Sequence, residues 1–98
     1  MARGRPVKIR PEPLPADDAA EGERRRAIGQ RARQCREELG WTMRDLASRA
    51  SMAPEEVRRL EAGLADAKMS TLIRLAKALD CPEKWLLLGE GSPGRAQP

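Results

Sequence analysis

Histidine, phenylalanine and tyrosine are absent from this 98-residue chain, and cysteine occurs only twice. Without imidazole, and with Cys35 and Cys81 as the only thiols, the chain lacks the donors of a zinc centre and the commonest acid–base catalyst. No nucleophile stands beside a base, so neither an enzyme nor a cofactor is expected. No apolar run approaches the roughly 20 residues that cross a bilayer, and no signal-peptide core opens the sequence, so a cytoplasmic protein without membrane contact is expected. In such a reducing compartment the two cysteines read as small buried hydrophobes rather than a disulfide. With Phe and Tyr missing, Trp41 and Trp85 must supply all aromatic packing.

What the chain has in quantity is charge. Nineteen Lys and Arg face 15 Asp and Glu, a net charge of +4, and the isoelectric point is near 9.7. That balance suits a polyanionic partner. Arginine supplies 15 of the 19 cations, which favours bidentate contacts to phosphate or guanine wherever those side chains face DNA.

Proline and apolar residues divide the chain into three pieces. Residues 1–23 hold four of the eight prolines (Pro6, Pro11, Pro13, Pro15) and end in an acidic, alanine-rich stretch, the composition of a flexible arm. Residues 24–89 form the candidate domain, and 90–98 a Gly- and Pro-rich tail expected to be disordered. A domain of about 65 residues is near the lower size at which burial alone stabilises a fold. Ile28, Ala32, Cys35 and Leu39 recur at helical spacing, as do Met69, Leu72, Ala76 and Leu79, while no segment alternates as a strand would. The expected fold is therefore all-α.

The central stretch Leu46–Gly63, LASRASMAPEEVRRLEAG, is the most specific. Leu46, Ala47 and Ala50 share a face of a helix that Thr42 can cap, with Asp45 three residues on as a capping-box partner. Four non-helical positions, Ala50–Ala53, are expected to follow. Pro54 then opens a second helix, where its missing amide has no partner to lose, and Glu55 and Glu56 favour the positive end of the helix dipole. Val57 and Leu60 turn inward, and Gly63 stops the helix. Two short helices joined this way form a helix-turn-helix, whose second helix is presented to DNA.

From about Ile28 to Gly91 the chain resembles the phage-repressor-like, or Cro/Xre, helix-turn-helix regulators. IGQRARQCREELGW resembles their first helix, LASRASMAPEEVRRLEAG their second and third, and MSTLIRLAKALDCPEKWLLLGEG their fourth and fifth. The resemblance implies a compact five-helix, lambda-repressor-like domain that binds double-stranded operator DNA as a homodimer. It also implies that Arg36 and Glu61 pair with each other inside the domain, and that the start of helix 2 meets phosphate. Three positions depart from the family pattern. Met43 replaces a glutamine opening helix 2, Ser51 replaces a turn glycine, and Ala53, Pro54, Glu55 and Glu56 replace a Ser, Thr and Gln cluster.

If Val57 and Leu60 face the core, then Glu55, Arg58 and Arg59 project toward a major groove. Arginine can bridge guanine O6 and N7, and glutamate can accept from the cytosine amino group. The alternative is that Arg58 and Arg59 only neutralise Glu55 and Glu56 at helical spacing. Thr42, Arg44 and Lys68 are candidates for phosphate contact. At the N-terminus, Arg3-Gly4-Arg5-Pro6 resembles the core of an AT-hook, with Arg3 and Arg5 laid along a narrow minor groove. A plain basic tail is the alternative. Trp85, Leu86, Leu87 and Leu88 are more apolar than one short helix requires and are candidates for the dimer interface.

Two functions fit. One is a sequence-specific transcriptional regulator, a repressor acting on nucleoid DNA by blocking RNA polymerase, with recruitment of polymerase as the other mode. The other is a helix-turn-helix fold used for protein contact, as an antitoxin or accessory subunit whose acidic third helix meets a basic partner.

Overall fold

The computed structural model describes residues 18–94, which form five helices: α1 (Asp18–Glu38), α2 (Met43–Ala50), α3 (Pro54–Glu61), α4 (Met69–Leu79) and α5 (Glu83–Leu88). There is no strand among the described residues. α1 starts at Asp18, not at the expected boundary after residue 23. The acidic, alanine-rich stretch follows the last proline of the arm, and Asp18 and Glu21 place negative charge in the first turn, where the dipole favours it. Those residues continue the helix and do not belong to the arm. Residues 1–17 and 95–98 lie outside the described residues.

All five helices end in the same way. A left-handed residue follows the last turn, and the next amide reaches back to a carbonyl of that turn, five residues earlier at four ends (Trp41 to Arg36, Met52 to Ala47, Leu64 to Arg59 and Cys81 to Ala76) and six earlier at α5 (Glu90 to Lys84). Glycine fills the left-handed position at three ends. Ser51 (φ 56°) and Asp80 (φ 55°) fill the other two and carry the strain of a Cβ there. This motif lets the chain turn sharply without leaving carbonyls unsatisfied, so five helices fit within 77 described residues.

Leu46, Val57, Leu75, Leu79, Leu86 and Cys35 are fully buried, drawn from every helix. Each large aliphatic side chain buried this way contributes about 1.5–3 kcal/mol of transfer free energy. Ala50 belongs to this core and is the last residue of α2, so the turn consists of three residues, Ser51–Ala53, and not four. Met69 is 59% exposed, contrary to its assignment to the apolar stripe of α4. It occupies the first position of that helix, ahead of the packed stripe, and Leu75 takes the inward place. Trp85 closes the core beside Leu86, whereas Trp41 is half-buried with the Arg49 guanidinium stacked 4.3 Å from its ring centroid.

α1 and α3 approach unusually closely because Gly29 has no side chain. A methyl group there would overlap the Leu60 carbonyl oxygen and lie 2.8 Å from that of Glu61. A mid-helix glycine costs helix propensity, and here the return is a backbone-to-backbone approach.

Candidate nucleic-acid interface

Three constraints fix α3. The first is the turn from α2, which is itself anchored at its start by a complete capping box. Thr42 Oγ1 accepts from the Asp45 amide at 3.0 Å, and the Thr42 amide donates to Asp45 Oδ2 at 2.8 Å. That second bond, foremost, holds the Asp45 carboxyl below its ordinary pKa. The second constraint is the close approach of Gly29. The third is the ion pair between Arg36 on α1 and Glu61, the last residue of α3.

Arg36 Nε donates to Glu61 Oε2 at 2.7 Å and its Nη2 to Oε1 at 3.0 Å, while Nη1 donates to the Trp41 carbonyl at 2.8 Å. Both residues are buried. The hydrogen bonds to Glu61 outweigh desolvation and raise the Arg36 pKa. Such a pair contributes little against an apolar replacement, yet its fork geometry admits one arrangement of α1 and α3. It therefore sets the angle at which α3 leaves the core.

With Val57 and Leu60 locked inward, Glu55, Glu56, Arg58 and Arg59 are all exposed. Each makes a contact within the protein, but of the four only Glu55 and Arg58 form an ion pair among the described residues. Arg58 Nε donates to Glu55 Oε1 at 3.0 Å and Nη2 to Oε2 at 2.5 Å, a bidentate pair one turn apart. The bond to Arg58 is the main cause of a lowered Glu55 pKa, and the same bond raises that of Arg58. Glu56 accepts from the Ala53 amide at 2.8 Å, forming the half of a capping box that an alanine N-cap allows. Arg59 Nη2 reaches the Leu64 carbonyl at 3.3 Å.

The other expected contact residues lie at the edges of this face. Thr42 and Arg44 are exposed at the start of α2, where first-turn amides point outward. Lys68 is the N-cap residue of α4 and shares a groove with Arg59, Glu56 and Thr71, floored by Met52 and Leu60. The structure thus brings Lys68 beside Arg59. Arg3 and Arg5 lie outside the described residues.

The apolar run of α5 divides differently from expectation. Leu86 is fully buried and Trp85 nearly so, because α5 closes the core against α1 and α4; neither is available to a partner. Leu87 is half-buried and Leu88 is 64% exposed. Arg31 on α1 fastens this helix from below, donating to the Leu86 carbonyl at 2.8 Å. Sequence reasoning missed Gly29, Arg31 and Arg49. The glycine inside a helical repeat was a signal of close packing; the two arginines gave none, since their partners lie far along the chain or around the helix.

Among the described residues no helix is long and apolar enough to cross a membrane, and no group of metal-ligating side chains occurs. A five-helix domain that anchors one helix of a tight helix-turn-helix and leaves the second with a polar, arginine-bearing outer face defines a DNA-binding transcriptional regulator. The chain belongs to the helix-turn-helix family of the Cro/C1 type, whose profile matches residues 33–86. It is similar to the crystal structure of the hypothetical transcription factor NHTF from Neisseria. That match has a TM-score of 0.65 and 26% identity over 80% of this chain and 85% of the other. No curated protein sequence matches it.

Proposed function

We propose that the protein is a sequence-specific repressor that binds operator DNA as a homodimer, with α3 of each copy in successive major grooves about 34 Å apart. The observation that carries this reading is the division of α3: its inner face is fixed to α1 and α2, and its exposed face carries Glu55, Arg58 and Arg59 beside the capping residue Glu56. A rigidly held helix with exposed arginines is what base reading requires. Arg58 keeps three of its five N–H donors after pairing with Glu55, enough to bridge guanine O6 and N7 from the end of the guanidinium. Glu55 keeps carboxylate lone pairs that can accept from a cytosine amino group. Thr42, Arg44 and Lys68 supply phosphate contacts that set register. Leu88 and half-buried Leu87 provide the apolar part of an isologous contact between copies. Bound across a promoter on the nucleoid, such a dimer excludes RNA polymerase.

The competing reading, a fold used for contact with a basic protein, draws on the carboxylates Glu55 and Glu56 at the tip of α3. Selection from a randomised duplex library, followed by anisotropy titrations of the winning sequence, separates the two. The dimeric reader yields a palindrome with half-sites about one helical turn apart and loses it on Arg59→Ala. A library that returns no motif assigns α3 to a protein partner instead.

A further inference from the structure

The first turn of α3 combines two features that work against DNA. Glu55 and Glu56 place two carboxylates at the end of the helix that enters a phosphate-lined groove, and Glu55 takes up Arg58 in a bidentate pair. Glu56 has a local role, since it caps the Ala53 amide. Glu55 has none of that kind: its carboxylate is exposed, bonds no backbone amide, and engages only the neighbouring guanidinium. An exposed pair of this sort adds little to stability. Its consequence lies in what it denies to DNA. An arginine held fork-to-fork by a carboxylate is not a mobile cation that can follow a phosphate wherever the groove presents one. Arg58 can still turn its remaining donors on a guanine while Glu55 accepts from the paired cytosine. No other pair offers both the O6 and N7 acceptors for the guanidinium and an amino donor for the carboxylate: an A·T pair has an adenine amino group but lacks the double acceptor, so the carboxylate's repulsion of the backbone is not offset there.

We propose that Glu55 is a specificity-determining residue that acts by counter-selection, holding Arg58 away from phosphate so that tight binding is conditional on a guanine–cytosine pair opposite the two side chains. This rests on the reading that α3 faces DNA, and deepens it. Glu55 is a positioning residue for Arg58 as well as a reader, and its removal increases binding to the wrong sequences.

The experiment is a set of anisotropy titrations on a random-sequence duplex between 50 and 200 mM salt, with the fold of each variant checked by circular dichroism. Wild type is compared with Glu55→Gln, Arg58→Ala, the double variant, Arg59→Ala, and Glu83→Gln on α5 as a charge-matched control. Glu55→Gln is expected to bind random duplex about 3- to 10-fold more tightly. Its log–log salt slope should steepen by about 1, a further loss of about 3.5-fold over that salt range as one more phosphate contact forms. The gain should vanish in the double variant, because it passes through Arg58, and Glu83→Gln should show no such gain. The proposal is overturned if Glu55→Gln leaves random-duplex affinity unchanged, if the gain survives in the double variant, or if Glu83→Gln reproduces it. Arg59→Ala separates the two levels of inference. If it weakens binding while Glu55→Gln does nothing, counter-selection alone fails; if neither changes binding, α3 does not face DNA and both readings fail.

Discussion

Replacing Gly29 by alanine should unfold this domain more readily, although alanine is the better helix former. Within a helix the substitution gains up to about 1 kcal/mol from propensity. Against this, the new methyl group meets backbone carbonyls of Leu60 and Glu61, which cannot rotate away as a side chain would. Ordinary carbon–oxygen contact lies near 3.3–3.6 Å, so α1 and α3 must separate by about 1 Å. A gap of that size forfeits a quarter to a half of each dispersion contact along the seam, and small-to-large changes in packed sites cost about 1–3 kcal/mol. Taking the upper end, because the obstruction is backbone, the net loss is about 2 kcal/mol. That corresponds to a fall in Tm of about 8–16 °C for a domain of this size. Gly22 provides the matched control on the same helix, since a methyl there meets only the flexible end of Arg26. Gly22→Ala should therefore gain about 0.5–1 kcal/mol. Urea titrations of both variants decide the matter, read as midpoints at unchanged slope. A Gly29→Ala protein as stable as Gly22→Ala would refute the close approach of α1 and α3.

Two further predictions concern the supports of α3. Arg36→Met leaves the Glu61 carboxylate, whose side chain is 3% exposed, without its partner and should cost about 3–5 kcal/mol. The double variant Arg36→Met with Glu61→Leu should recover most of that, and an equal loss in single and double variants by urea titration would show that the pair is not what is being broken. The Asp45 pKa is lowered in the folded state, so its capping contribution is fully present above the unfolded value of about 3.9 and disappears as pH falls through the folded value. The difference in Tm between wild type and Asp45→Asn should therefore close between neutral pH and pH 2. A gap that persists unchanged would exclude the carboxylate as its source.

The sequence by itself determined the parts of this protein that depend on neighbours along the chain. Thr42 with Asp45, Pro54 with Glu55 and Glu56, and Gly63 mark helix ends through bonds spanning three to five residues, and they mark them correctly. The inward positions of Val57 and Leu60 follow from the helical period, and the order of segments was enough to identify the fold family. Composition did not determine how the helices are spent once packed. Trp85 and Leu86 look like surplus apolar surface in sequence, but α1 and α4 need them to close a core that has no phenylalanine or tyrosine. Residues 18–23 look like linker, yet no proline lies between Pro15 and Pro54 and α1 runs through them. Tertiary structure alone decided the Gly29 crossing and the Arg31 bond to Leu86, which join residues tens of positions apart. It also decided which intramolecular partners the arginines of α3 take. Helical spacing allowed Arg58 to pair with Glu55, and the folded chain makes that pair while leaving both side chains exposed. Spacing fixes which side chains can meet, whereas the rotamer each adopts depends on the full set of charges and surfaces assembled around it.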